Sequence, residues 1–341
     1  KILYDRSPAL RVAKVAPWLT LDNDPYPAIV NGRVQWVLDG YTTSNAYPYS
    51  ARVSLSDAIS DSVNQNVSNS DINYIRNSVK ATVDAYDGTV HIYAWDASDP
   101  ILKVWSKVFP GVVEPKSSIP AGVLDHVRYP EDMFKVQRDI FAKYHVQDPQ
   151  AFYSGQDFWI VPDDPTKPNS QQAQPPYYLS LKMPGESKTT FSLTTAYAPS
   201  KRQTLAAFMA VNSDPGADFG SIEVLRLPRN TTIPGPAQVQ NNFESDPNVS
   251  SKLSLLRQGG SDVVLGNLLS LPVGGGLLYF EPVYVQSSQS GGYPLLRKVL
   301  LSFGSKVVFE DDLPTALAKV FSGQTVSPTP STPSGGTVTQ Q

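Results

Sequence analysis

Residues 79–95, VKATVDAYDGTVHIYAW, decide how the chain reads. Apolar and polar residues alternate on both sides of Asp87-Gly88, a dipeptide that favours the tight turn of a β-hairpin. A two-residue turn sets the pairing, with Tyr86 opposite Thr89, Ala85 opposite Val90, Asp84 opposite His91 and Val83 opposite Ile92. One face is then Val79, Ala81, Val83, Val90, Ile92 and Ala94, and it needs a cover. The segments that follow read as helices able to supply it. Asp99-Pro100 gives an N-cap and a first-turn proline to ILKVWSKVF, whose apolar stripe is Ile101, Trp105 and Val108. Pro130 opens EDMFKVQRDIFAKYH, with Met133, Phe134, Ile140, Phe141 and Tyr144 directed inward. Asp148-Pro149 starts a short third helix.

The second half is richer in strands. Residues 177–183 and 189–197 flank a Pro-Gly turn, and 204–211 and 221–227 flank SDPGADFG, so both pairs read as hairpins. Asp246-Pro247 caps a helix through Leu253 and Leu256, with Gly259 placed to stop it. Residues 263–271 and 277–286 flank the triple glycine Gly274 to Gly276, which reads as a wide hairpin turn. A strand near Val307 leads to a closing helix, LPTALAKVF. Strands and helices do not alternate regularly, which gives an α+β class with mainly antiparallel sheets, hairpins and several short to medium helices. Two sub-domains are expected: an N-terminal α+β part over 1–165 and a strand-rich α+β part over 177–321. Residues 166–176, TKPNSQQAQPP, join them as an exposed linker. Residues 322–341 are Ser, Thr, Pro, Gly and Gln with two isolated Val, a composition expected to be disordered.

Composition excludes several chemistries. There is no cysteine, and the three histidines, His91, His126 and His145, are dispersed, so neither a zinc cluster nor thiol catalysis is expected, and no cofactor. Twenty-eight Lys and Arg against 31 Asp and Glu give a net charge of -3 with the signs interleaved, which disfavours a nucleic-acid partner. No run of about 18 apolar residues is present. The start at Lys1 rather than Met leaves room for a membrane segment upstream.

Most polar candidates have a structural role that suffices. His91 opposite Asp84 reads as an exposed cross-strand ion pair, His126 as a cap or surface group, and His145 as a partly charged group on a helix C-terminus. Asp22 and Asp24 in LDNDPYP read as a turn in which Asp side chains bond the backbone, since the calcium-loop pattern is absent. The glycine run lacks the Lys-Ser or Lys-Thr of a phosphate cradle, and Ser261 lacks the trailing glycine of a nucleophile elbow. Two features remain as candidate ligand contacts. Trp36, Tyr41, Tyr47 and Tyr49 straddle a loop of Gly, Thr, Ser, Asn and Pro, a composition suited to stacking on a sugar or a peptide. Glu281 and Tyr284 lie in LLYFEPVYV, where a carboxylate needs a partner, Arg297 or Lys298, or else a raised pKa. No residue is assigned as catalytic or as a metal ligand.

The stretches KVAPWLTLDNDPYPAIVNGRVQWVLDGYTTSNAYPYS, NYIRNSVKATVDAYDGTVHIYAW, RYPEDMFKVQRDIFAKYHV, AAFMAVNSDP, GNLLSLPVGGGLLYFEPVYVQ and YPLLRKVLLSFG resemble the uncharacterised protein family 0182 of actinobacteria and cyanobacteria, over roughly residues 4 to 322. The resemblance implies a place rather than a reaction: several membrane-spanning helices, then a large extracytoplasmic region to which this chain would belong. Two functions follow as expectations. One is a noncatalytic extracytoplasmic domain of an integral membrane protein, held at the cell membrane by segments outside this chain, that binds an envelope protein, lipid or glycan or shapes a transport or assembly complex. The alternative is a carboxylate-dependent enzyme acting on cell-wall polysaccharide, for instance through Glu281 and a spatial neighbour. Two carboxylates about 5 to 10 Å apart in an aromatic cleft would favour the enzyme, and an apolar groove the binding domain.

Overall fold

The computed structural model describes residues 4–62, 71–167, 172–228, 230–258, 260–288 and 292–322. The chain forms two compact units, one of residues 1–181 and 188–231, the other of 182–187 and 232–341. That division replaces the boundary expected at 166–176. Asp163 and Ala173 form a β-bridge, and the Asp164 N–H donates to the Gln172 carbonyl at 2.8 Å, so the ends of the expected linker are tied together inside the first unit. The expected stop at Gly259 and the expected disorder of the tail beyond Ser322 lie outside the described residues.

The first unit contains α1 (Pro8–Val15), β1 (Thr20–Leu21), β2 (Tyr26–Val30), β3 (Arg33–Ser44), β4 (Val53–Ser54), α2 (Leu55–Ala58), β5 (Asp71–Ile72), β6 (Tyr74–Asp84), β7 (Val90–Ala94), α3 (Pro100–Val108), β8 (Val113–Pro115), α4 (Ala121–Leu124), α5 (Glu131–Tyr144), α6 (Pro149–Ser154), β9 (Trp159–Ile160), β10 (Tyr177–Leu181), β11 (Thr190–Pro199), β12 (Ala207–Asn212) and β13 (Ile222–Arg226). Its first sheet runs β1-β3-β6-β7-β8 with β2 also on β3, and its second runs β10-β11-β12-β13 with β9 on β11. All these pairs are antiparallel except β7 with β8, which are parallel because α3 carries the chain back across the sheet.

The apolar face read from the hairpin is correct. Val79, Ala81, Val83 and Ile92 are buried with Val12 and Ala16 from the first helix region, Leu38 of β3 and Leu102 of α3. The turn differs. Val83 pairs with Val90 and Thr82 with His91, a register two residues from that expected. The cause is the Asp84 carboxylate: its Oδ1 accepts the backbone N–H groups of Tyr86 and Asp87, and the Gly88 N–H donates to the Asp84 carbonyl. A wider loop results, with Gly88 at φ +77°. A shift of two preserves which face each side chain occupies, so the core survived the wrong turn. His91 instead meets Glu114 at 2.7 Å, and Asp84 meets Arg33 at 2.8 Å.

Helix α3 begins as expected, with Asp99 accepting the N–H groups of Ile101 and Leu102. Its inward residue is Leu102, whereas Val108 is exposed. Helix α5 buries Met133, Phe134 and Ala142 against Tyr41 and against Leu193, Tyr197 and Met209 of the second sheet.

The second unit contains α7 (Pro236–Ser245), α8 (Pro247–Leu256), β14 (Ser261–Leu265), β15 (Leu269–Val273), β16 (Gly276–Ser287), β17 (Leu295–Phe303), β18 (Lys306–Glu310) and α9 (Leu313–Phe321). Its sheet runs β14-β16-β17-β18 with β15 also on β16. Ala316 and Val320 of α9 close over Leu278, Val299 and Leu301. Val273 pairs with Gly276, so the expected wide turn is a two-residue turn of Gly274 and Gly275, both at positive φ. That is the geometry that matches the twist of the flanking strands. Among the described residues, no helix is long and apolar enough to cross a membrane.

Candidate functional site

Helix α5 buries charged residues, Asp132, Lys135 and Arg138, alongside Met133, Phe134 and Ala142, while part of its apolar surface faces outward. Ile140 and Tyr144, expected inward, are 45% and 60% exposed. With Val136 they stand at i, i+4 and i+8, one stripe of the helix, and they line a cleft of about 530 Å³. The rest of the lining comes from Leu55 and Ala58 of α2, Val53 and Ser54 of β4, Ile72 of β5, Tyr74 and Ile75 of β6, and the loop residues Tyr49, Ser50, Ala51 and Asn73. No Asp, Glu, Lys, Arg or His is among these lining residues.

Several polar side chains of this lining are committed within the protein. Tyr74 donates its hydroxyl to Asp99 at 2.6 Å. The Asn73 side chain accepts the Tyr47 N–H and donates to the carbonyls of Tyr47 and Ser50. Ser54 Oγ accepts the Asp57 N–H at the start of α2 and bonds Ser56 Oγ. Asn73 thereby fixes the loop that carries Tyr49, a fully exposed tyrosine in the left-handed backbone region at φ +57°. Tyr47 stacks on Tyr74 with ring centroids 5.9 Å apart.

The buried charged face of α5 ties the cleft together. Arg138 donates to Asp61 at 2.8 Å and to the Gln174 carbonyl at 3.1 Å. Lys135 bonds Ser62 Oγ at 2.7 Å and pairs with Glu131 at 2.8 Å and Asp61 at 3.4 Å. Asp132 accepts from Ser62 Oγ and from both the backbone and side-chain amides of Asn23. Asp61 and Ser62 lie in the turn just after α2, so these contacts hold the α2 and α5 sides of the cleft to each other.

Residues distant in sequence supply the cap that α5 lacks. Pro130 offers no side-chain acceptor. Asp22 Oδ2 accepts the Asp132 N–H, and the Tyr41 hydroxyl oxygen accepts the Met133 N–H while its proton goes to Asp22. Asp22 also accepts the Asp24 N–H, as its turn role requires. Burial, then the carboxylates of Asp132 and Asp39, push the Asp22 pKa up to about 8, against the donors Tyr41 and the Asp24 amide. Beside it, Asp39 pairs with the fully buried Lys80 and accepts from Asn77. Asp99 is buried, yet bonds from Thr42, Tyr74 and Ser78 and backbone N–H groups keep its pKa below the ordinary value.

The residues singled out from the sequence separate. Tyr49 lines the cleft and Tyr47 stacks on its wall. Trp36 packs half-buried against the α1 and α3 side of the first sheet, and Tyr41 is a core residue that caps α5. Glu281 and Tyr284 belong to the second unit, where Glu281 is fully buried opposite Leu300 and Lys298 pairs with Asp311 at 2.5 Å. His126 bonds the Gly122 carbonyl at the surface. His145 stacks on Trp159, and burial lowers its pKa, so the neutral ring is favoured over the charged one expected there. Among the described residues, no group of three or more His, Asp or Glu is arranged to hold a metal ion. The lining residues Val136, Leu55 and Ile72 carry no signal in sequence beyond being apolar. The i, i+4 spacing of Ile140 and Tyr144 is visible, but not the direction they face.

The protein-family model that matches, over residues 1–256, is described as the uncharacterised protein family UPF0182. A UPF0182 protein of Leifsonia xyli subsp. xyli is 54% identical over 95% of this chain and 34% of its own length. One of Streptomyces coelicolor is 52% identical over 95% of the chain and 33% of its own length, and one of Frankia alni 53% identical over 94% and 32%. The chain thus spans about a third of the length of these curated relatives. No solved structure matches it. By the family model and by these identities, the chain belongs to the uncharacterised protein family UPF0182.

Proposed function

We propose that this chain is a noncatalytic binding or assembly domain of a longer envelope protein, displayed on the outer side of the cell membrane, with the cleft of the first unit as its binding site. The observation that carries the proposal is the cleft itself: a concave, pre-formed, mainly apolar surface large enough for a small ligand, with no Asp, Glu, Lys, Arg or His among its described lining residues. Acid-base hydrolysis of a glycosidic bond needs two carboxyl groups facing the substrate about 5 to 10 Å apart. Glu281, the carboxylate that raised the enzymatic alternative, sits in the other unit. Display on the outer side rests on the family resemblance, in which such a region follows the membrane helices.

The test is a titration of isotope-labelled protein, followed by NMR, with dodecanol, with chitotetraose and with a hydrophobic helical peptide in turn. A binding domain gives saturable shifts clustered at Tyr49, Ile75, Ile140 and Tyr144 with at least one probe. Release of new reducing ends from purified cell-wall polysaccharide, abolished by substituting a carboxylate, would instead establish the enzyme.

A further inference from the structure

We infer that the cleft takes an unbranched hydrocarbon chain, such as the acyl tail of a lipid; this rests on the proposal that the cleft is the binding site. The hydrogen-bond accounting discriminates between ligand classes. Each sugar hydroxyl or peptide amide taken out of water needs a partner, and an unmade hydrogen bond is expensive. Most of the polar side chains that could serve are already used, Tyr74 by Asp99, Asn73 by the backbone of Tyr47 and Ser50, and Ser54 by the start of α2, which leaves the hydroxyls of the exposed Tyr49 and Tyr144. A chain of methylenes asks for none of them. Lining and ligand also match in charge, because no Asp, Glu, Lys, Arg or His is among the described lining residues and a hydrocarbon chain carries none.

Shape agrees with chemistry. Val136, Ile140 and Tyr144 form a continuous apolar stripe about 12 Å long on α5. Such a stripe offers length rather than the broad flat platform that a stacked sugar ring prefers. Tyr49, held out at the mouth by its constrained loop, suits the place where a polar head would emerge into water, since a tyrosine is apolar along its ring and polar at its tip.

The experiment displaces a fluorescent reporter, dansylaminoundecanoic acid, from the intact chain with octanol, decanol and dodecanol, and in parallel with chitotetraose. Affinity is expected to rise about fourfold for each added methylene until the stripe is filled. Ile140→Lys, at a position 45% exposed, places a charge on the stripe without opening the core, and a loss of about tenfold or more is expected. Ile140→Leu is expected to bind like the unaltered chain, and both variants to melt like it. An affinity independent of chain length overturns the inference. So does displacement by chitotetraose that Ile140→Lys abolishes, which would leave the cleft a binding site for a sugar. If neither reporter nor chitotetraose binds the unaltered chain, the cleft is not the site and both proposals fall.

Discussion

Arg138 Nη2 lies 2.8 Å from Asp61 Oδ2, with both side chains 2% exposed. A desolvated pair of this kind is weak as a net contribution but severe to break on one side, because the remaining charge stays buried. Arg138→Met is therefore expected to lower unfolding free energy by about 3–5 kcal/mol in urea titrations. Adding Asp61→Leu to Arg138→Met should restore much of that loss. Strict additivity of the two single changes would show that the pair is not energetically coupled. Because the pair ties α2 to α5, Arg138→Met should also weaken any ligand of the cleft.

Asp22 gives a pH dependence with a definite sign. Its ordinary carboxyl pKa of 3.8 is raised to about 8 in the fold, by burial first and then by Asp132 and Asp39. Below about pH 4 the folded and unfolded chains both hold this proton, and its stabilising contribution is fully present. Between pH 4 and 8 the unfolded chain has lost the proton and the folded chain has not, so the contribution declines as pH rises through that window. Chemical denaturation of the unaltered chain and of Asp22→Asn, compared at each pH, should show the former losing stability relative to the latter from pH 4 to 8. A constant difference across the window would refute the raised pKa.

The Gly274-Gly275 turn predicts a local asymmetry. Gly275 has φ +78° and open space where a Cβ would stand, so Gly275→Ala meets backbone strain alone, about 1–2 kcal/mol of lost stability. Gly274→Asn, at φ +59°, should be nearly neutral, because asparagine tolerates this region. Equal losses at both positions would argue against the two-residue turn.

Placement is tested on cells. Protease added to intact cells is expected to cleave this region of the protein while cytosolic markers stay whole. Full protection until lysis would put the domain inside and remove the envelope part of the proposal.

What the sequence made legible follows from the range of the interactions. Alternation in 79–95 determined a face, and the face held although the register moved by two, because the Asp84 carboxylate that widened the turn acts within three residues and keeps parity. The helix starts at Asp99 and Asp246 were legible for the same local reason. The α5 helix was half legible. Met133 and Phe134 point inward as their spacing implies, but Asp132, Lys135 and Arg138 are buried because Asn23, Asp61 and Ser62 reach them from far along the chain. With that face committed to the interior, Ile140 and Tyr144 are left to line the cleft, an outcome no periodicity in α5 alone contains. The sequence marks Tyr49 by its aromatic neighbours Trp36, Tyr41 and Tyr47, whereas the lining it joins is mainly aliphatic, with Tyr74 and Tyr144 as its other aromatic members.

The most direct measurement is intermolecular NOE transfer between dodecanol and the methyl groups of an Ile, Leu and Val-labelled chain. Occupation of the cleft predicts transfer to Leu55, Ile72, Ile75, Val136 and Ile140, and none to methyls of the second unit such as Val299 and Leu301. Transfer confined to methyls outside the cleft, or no transfer at a dodecanol concentration that saturates displacement of the reporter, would contradict the account.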